Sequence, residues 1–259
     1  MELKETDLCE IPKVIHYCWF GRTKLPKLAR KCIASWKKFL PDYEIVEWNE
    51  DNFDINVAQY TAEAYREKRF AFVSDYARFW ILYNYGGIYL DTDVELLRPI
   101  NDIIATGSFM ACETTPSENV PLFINPGLGM AMSKGHKLCY DMLKIYNSLH
   151  FIDHRGLHNL KTIVQYTTEY LYSQGLREVN DIQRIKDITF YPKAVFNPYD
   201  YDKDKVIITN ETRSIHHFAG SWLTVKDRLK RFIERTFGED YLNVCVKVYQ
   251  CFKFKKRDE

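Results

Sequence analysis

The run from Ala71 to Tyr85 constrains the fold most. Nearly every position is apolar or aromatic: Phe72, Val73, Tyr76, Ala77, Phe79, Trp80, Ile81, Leu82 and Tyr83. A helix that is hydrophobic all round belongs inside a protein, so other elements must cover it on every side. Gly86-Gly87 ends the run and supplies a turn with positive φ. Ile88-Tyr89-Leu90 then reads as a short strand, and Asp91-Thr92-Asp93 follows at once. The chain has 259 residues, enough for one large domain or a core domain with a small appendage.

The segment ahead of this helix sets the class. Val14 to Phe20 is a β-rich run that stops at Gly21. Pro26 opens a helix with Leu28, Ile33, Trp36 and Phe39 on one face, closed by Pro41. Tyr43 to Trp48 reads as a second strand. Strand, helix and strand within about 35 residues predict an α/β domain with parallel pairing. Beyond residue 100 the pattern weakens. Phe109–Cys112, Val206–Thr209 and Ser214–Phe218 read as strands, Asn125-Pro126-Gly127 as a turn, and Lys137–Leu149 and Thr162–Ser173 as amphipathic helices.

Composition excludes some functions. Lys and Arg total 36 against 35 Asp and Glu, a net charge of +1, so neither a globally basic nucleic-acid binder nor an acidic disordered chain is expected. Aromatics reach 15%, which suits a packed core and a pocket for a flat or ring-shaped ligand. Seven scattered cysteines include no CxxC pair, which predicts reduced thiols in a cytoplasmic protein. No apolar stretch reaches the roughly 18 residues of a membrane span. Met1 to Glu10 lacks the apolar run of a secretory signal.

Asp91 and Asp93 carry the chemistry. Strand alternation would aim both carboxylates to one side, at a strand end, where α/β sheets bind ligands. Two such carboxylates repel unless a proton or cation neutralises them. A hard ion, Mn²⁺ or Mg²⁺, does so and commonly bridges to phosphate oxygens. A solvated acidic turn is the bland alternative. Asp75 and Arg78 lie one turn apart on the apolar helix. They read either as an internal ion pair or as a polar edge meeting a ligand. His216 and His217 sit near a strand end, on opposite faces, so one of them can complete a metal shell. Asp200-Tyr201-Asp202-Lys203-Asp204 with Glu211 mimics a calcium loop, but Lys205 stands where glycine is needed, and a polar turn is expected.

Three ordered motifs resemble one family. Arg69 to Arg78 followed by Tyr85 to Asp93 is similar to the DXD-containing sugar-transferase region of family 32 glycosyltransferases. These are mannosyltransferases with bacterial capsule and lipopolysaccharide relatives. Ile11 to Gly21 resembles their first strand, and Ile215 to Trp222 resembles the closing motif of bacterial members. The resemblance spans roughly residues 11 to 222.

It implies a GT-A fold, a Rossmann-like mixed sheet flanked by helices, over residues 1–222. It also implies a nucleotide-sugar donor, UDP- or GDP-linked, held through Mn²⁺ or Mg²⁺. By that likeness Asp93 coordinates the metal, and Asp91 contacts the metal or the ribose. Asp75 and Arg78 hold ribose and sugar hydroxyls, and Trp19 stacks the base. Asn125 lines the sugar pocket, unless it is only a turn residue. Ser221 and Trp222 contact the diphosphate. His217-Phe218-Ala219-Gly220 resembles a family 8 metal motif, which favours His217 over His216 as the metal ligand. A Thr-Gly-Pro segment common in the family is replaced by Gly156 to Thr162, so acceptor residues are not carried over.

The reaction so implied is retaining transfer of a hexose to a glycan or glycolipid acceptor in surface polysaccharide synthesis. Two rivals stand beside it. Ile88 to Val94 also fits the D-x-D strand of haloacid-dehalogenase phosphatases, with Asp91 as nucleophile, although the downstream Gly-Asp motif is missing. A non-catalytic sugar-binding subunit is the other. Residues 223–259 form a basic amphipathic extension containing Lys226, Arg228, Lys230, Arg231 and Arg235. It reads as a helix lying on the inner face of an anionic membrane or as one packed on the domain.

Overall fold

The structure, a computed structural model, describes residues 10–200 and 205–220. The described residues up to Phe218 belong to one compact unit. The proposed extension at 223–259 lies outside the described residues, as do Ser221 and Trp222.

The first half runs β1 (Val14–Cys18), α1 (Lys27–Phe39), β2 (Glu44–Trp48), α2 (Gln59–Arg66), α3 (Phe70–Tyr85), β3 (Gly87–Tyr89), β4 (Val94–Leu96) and α4 (Asn101–Ile104). The second half runs β5 (Phe109–Ala111), β6 (Met130–Met132), α5 (Lys137–Asn147), α6 (Ile163–Ser173), β7 (Gln183–Ile185), β8 (Ile188–Tyr191), α7 (Lys193–Phe196), β9 (Tyr199–Asp200), β10 (Lys205–Val206) and β11 (Ser214–His216). Seven strands form a mixed sheet in the order β2-β1-β3-β6-β5-β8-β7. β1 pairs parallel with both β2 and β3, while β6 runs antiparallel between β3 and β5. β4 and β11 form a separate antiparallel pair. The expected α/β class and Rossmann-like mixed sheet with flanking helices are present.

Side-chain alternation explains the layers. On β1, Ile15 and Tyr17 face a core shared with Trp36 of α1, while Cys18 faces the opposite core. Ile88 and Tyr89 divide in the same way, as do Phe109 and Met110. Both faces of the sheet are therefore covered, and its central strands are apolar on both sides. α3 packs with α2 and α5 over one face. Trp36 is fully buried on the other face, and its indole N–H donates to the Val94 carbonyl at 2.7 Å. That bond fixes α1 to the strand that follows the aspartates.

The turn from α3 into β3 requires glycine. Gly86 and Gly87 have φ of 67° and 101°, and a Cβ on Gly87 would lie 2.7 Å from the Val14 carbonyl oxygen. His16 locks the same corner. Its Nε2 lies 2.9 Å from the Gly86 carbonyl, and its Nδ1 accepts from Trp48 Nε1 at 3.1 Å. Burial pushes its pKa down to about 4, against the Gly86 hydrogen bond. A neutral ring with its proton on Nε2 satisfies both neighbours.

Several sequence expectations need correction. The strand expected at Val206–Thr209 is only Lys205–Val206, paired antiparallel with Asp200 and Tyr199. The strand expected at Ser214–Phe218 stops at His216, where the backbone bends toward Phe218 at φ 46°. β6 was not anticipated, because Met130-Ala131-Met132 carries no β-branched residue and no alternation.

Glu63 of α2 clamps the loop after α5. Its carboxylate meets His150 Nδ1 at 3.0 Å and accepts from the Phe151 and Ile152 amides at 2.8 and 3.1 Å. Burial would raise its pKa, but the hydrogen bonds from His150, Gln59 and the two amides outweigh that and hold it near 2, below the ordinary 4.5. The stabilisation is therefore complete above about pH 4.5 and lost as pH falls toward 2. Glu63→Gln should cost about 2 kcal/mol at pH 7. The gap to wild type should close progressively below pH 4.5, as read by urea unfolding across a pH series.

Candidate functional site

The site forms where β3 ends. Leu90 N–H still donates to the His16 carbonyl of β1, but Asp91 N–H turns away to the Gly127 carbonyl at 3.0 Å. Val94 N–H then donates back to the Asp91 carbonyl at 3.0 Å. Asp91-Thr92-Asp93 is thus a tight turn between β3 and β4 and not the end of a strand. The two carboxylates converge because the chain reverses, and strand alternation plays no part.

β11 supplies the third group. Its pairing with β4 sets His216 opposite Val94, so His216 Nε2 lies 3.0 Å from Asp93 Oδ1. One ligand atom each from Asp91, Asp93 and His216 falls within 4.8 Å of the others. Burial works to lower the His216 pKa, but the Asp93 hydrogen bond and the charges of Asp93, Asp91 and Glu113 raise it. A positive charge is favoured at this point. His216 Nδ1 is buried with no hydrogen-bond partner among the described residues. Two carboxylates and an imidazole fit a divalent cation of the Mn²⁺ or Mg²⁺ kind.

His216, and not the expected His217, lies beside the two aspartates. The His217 side chain points to Glu95, with Nε2 2.8 Å from Oε2, and Lys31 Nζ holds the same oxygen at 2.8 Å. Only the His217 backbone approaches the aspartates, its N–H donating to the Asp93 carbonyl at 3.0 Å. Neighbouring residues on an extended strand face opposite ways, and here the inward one is His216.

Arg78 binds the site to the core. Its Nη2 meets Asp75 at 3.1 Å and Asp91 at 3.3 Å, its Nε donates to the Ser74 carbonyl at 3.2 Å, and its guanidinium lies 4.7 Å from the centre of the Tyr89 ring. The side chain is only 4% exposed. Burial alone would favour the neutral form, but Asp91, Tyr89 and Asp75 keep it charged. Nη1 is buried with no hydrogen-bond partner among the described residues. Asp75 is buried too, and burial lifts its pKa to about 7 against the pull of Arg78. The pair is an internal ion pair whose guanidinium also reaches the aspartate turn.

Trp19 and Asn125 occupy different settings. Trp19 follows β1, whose carboxyl end lies at the same sheet edge as that of β3 because the two strands are parallel. The indole is half-buried and its N–H donates to the Thr23 carbonyl at 2.7 Å. Asn125 is buried, and both ends of its amide are engaged. Nδ2 donates to Glu113 Oε2 at 2.6 Å, and Oδ1 accepts from Gly127 N–H at 2.7 Å.

Gly127 and Glu113 are site residues that the sequence reading missed. A Cβ on Gly127 would overlap Asp91 Oδ2 and come within 3.1 Å of Arg78 Nη1. The Asn-Pro-Gly turn signal was visible, but nothing local says what the glycine must clear.

Residues 26–110 match the family described as "Glycosyltransferase sugar-binding region containing DXD motif". This segment is similar to the DXD-containing sugar-binding region of glycosyltransferases. The match takes in Asp75, Arg78, Asp91 and Asp93, and it weighs against the phosphatase alternative. Inositol phosphoceramide mannosyltransferase 3 of Schizosaccharomyces pombe is 29% identical over 157 residues, 55% of this chain and 39% of that protein. The chain thus spans about two fifths of the length of that relative. An "uncharacterized glycosyltransferase" of Acanthamoeba polyphaga mimivirus is 25% identical over 88% of this chain and 90% of its own. Among solved structures, a glycosyltransferase involved in glycosylation of the PBCV-1 major capsid covers 79% of this chain and 93% of its own. Its TM-score is 0.45 at 16% identity.

The packing at Gly127 yields a prediction. Gly127→Ala should destabilise the protein by about 1–3 kcal/mol, as overpacking of a filled site does. Urea unfolding reads the loss, and an unchanged far-ultraviolet circular dichroism spectrum should show that the fold persists.

Proposed function

We propose that the protein is a divalent-metal-dependent, retaining glycosyltransferase. It moves a hexose from a UDP- or GDP-sugar to a glycan or lipid-linked acceptor in surface polysaccharide synthesis. One observation carries the reading: Asp91, Asp93 and His216 gather within 4.8 Å, beside a buried guanidinium with an unpartnered Nη1. A pyrophosphate leaving group needs cationic charge, and a sugar needs directed hydrogen-bond donors. This corner offers a place for both.

Asp91, Asp93 and His216 would hold Mn²⁺ or Mg²⁺. When bound, such an ion supplies Lewis-acid neutralisation of the donor diphosphate. The chain's own residues do the rest. Arg78 presents Nη1 to donor hydroxyls or phosphate oxygens, and Asp75 orients it through Nη2. Trp19 offers its indole face to the base from the adjacent strand end. Asn125 shapes the floor of the sugar pocket by holding the Gly127 turn. Ser221 and Trp222 are assigned to the diphosphate on the strength of the closing motif. No separate general base is invoked, because the departing phosphate oxygen can take the acceptor proton on the same face.

The acceptor reading leans on two supports. Curated relatives are named inositol phosphoceramide mannosyltransferases, which favours mannose transfer to a lipid-borne acceptor. The basic composition of 223–259 suits contact with the inner face of an anionic membrane. No described helix is long and apolar enough to cross a membrane, so a cytoplasmic protein would be peripheral there.

Donor hydrolysis or transfer should appear only with Mn²⁺ or Mg²⁺ and vanish in chelator. Asp93→Ala and His216→Ala should each lower it at least a hundredfold, with His217→Ala costing distinctly less. A thermal-shift screen of UDP- and GDP-sugars with Mn²⁺ identifies the donor, since ligand at a hundred times its Kd stabilises by about 2.7 kcal/mol. Full turnover in chelator overturns the metal role.

A further inference from the structure

Glu113 lies just beyond β5 and belongs to none of the motifs read from the sequence. We propose that Glu113 is a positioning residue for the metal-binding aspartate Asp91, acting through a hydrogen-bonded track that passes along Asn125 and Gly127. The proposal rests on the metal-dependent reading given above.

Each link of the track is present. Glu113 Oε2 accepts from Asn125 Nδ2 at 2.6 Å. Asn125 Oδ1 accepts from Gly127 N–H at 2.7 Å. The Gly127 carbonyl accepts from Asp91 N–H at 3.0 Å. The opening link is a charge-assisted bond, of the short and strong kind. It fixes which end of the Asn125 amide faces the turn. Without the carboxylate, the amide could rotate and present Nδ2 to the Gly127 N–H, which is donor against donor.

Both ends of the track are anchored. The Glu113 backbone N–H donates to the Phe123 carbonyl at 2.7 Å, and its carbonyl accepts from Asn197 Nδ2 at 3.2 Å. At the other end, Gly127 lies so close to Asp91 that a Cβ would overlap its carboxylate. A small shift of the 125–127 turn must therefore move Asp91. Groups that orient ligands from outside a metal shell typically change metal affinity 10- to 100-fold when removed.

The chemistry makes the role separable from mere charge. Glutamine at 113 keeps an acceptor oxygen for Asn125 Nδ2 but loses the negative charge. Aspartate at 125 keeps the acceptor for Gly127 N–H but cannot donate to Glu113, and it sets two carboxylates face to face.

The test is Mn²⁺ affinity, measured on the full chain by electron paramagnetic resonance of the free ion, with circular dichroism to confirm folding. Glu113→Ala and Asn125→Asp should each weaken Mn²⁺ binding at least tenfold. Glu113→Gln should stay within threefold of wild type. The Glu113→Ala/Asn125→Asp double variant should bind no more weakly than the worse single variant, because both cut one track. With a turned-over donor, the loss should fall on kcat at saturating Mn²⁺ less than at limiting Mn²⁺.

Wild-type affinity in Glu113→Ala overturns the proposal. So does a Glu113→Gln variant as weak as Glu113→Ala, which would make charge alone the cause, or a double variant whose losses multiply. A wild-type protein that binds no Mn²⁺ overturns the metal reading itself, and this role with it.

Discussion

A buried guanidinium organises this protein. Arg78 stands on a largely apolar helix, and its side chain is almost wholly removed from water. A buried cation without partners costs several kcal/mol, so the fold must bring anions to it. One, Asp75, comes from the same helix turn. The other, Asp91, comes from the turn after β3. The need to pair one charge therefore fixes where the aspartate turn sits against the core. The same demand gives the site its rigidity, because Arg78 is also held by the Ser74 carbonyl and by the face of Tyr89.

Around that anchor, the site is assembled from pieces far apart in the chain. The aspartate turn follows β3, the opposing imidazole arrives on β11, and the supporting turn at residues 125–127 lies before β6. The first two are joined by a two-stranded ribbon outside the main sheet, while the third reaches Asp91 through a single backbone hydrogen bond. Gly127 has no side chain because Asp91 and Arg78 occupy the space where one would be. Close packing and charge pairing thus act at one point. Such a corner holds its carboxylates in place before any ligand arrives, which lowers the reorganisation needed on binding.

Legibility followed physical locality. The helix at Ala71–Tyr85 was readable because apolar residues on every face leave few alternatives, and its glycine stop demanded a backbone that only glycine adopts freely. α1 was readable from its helical stripe, and β1 and β2 from β-branched and aromatic runs. β6 was not, since a three-residue Met-Ala-Met strand owes its conformation to the neighbours on both sides. The aspartates were found by spacing, although the mechanism that brings them together is a turn and not a pleat. Glu113 gave no signal, because its role is defined by the amide it holds twelve residues away.

The choice between the two histidines divides sequence from structure. Alternation along an extended chain establishes from residue order alone that His216 and His217 point opposite ways. It cannot say which way is inward, because that depends on the register between β11 and β4. The observed register places Ser214 opposite Leu96 and His216 opposite Val94, and so brings His216 to Asp93 and sends His217 to Glu95 and Lys31. The sequence determined the inventory: the apolar helix, its one ion pair, the paired aspartates and a histidine near them. Tertiary structure decided the partners, because strand register and turn packing arise from contacts between segments that local residue order does not encode.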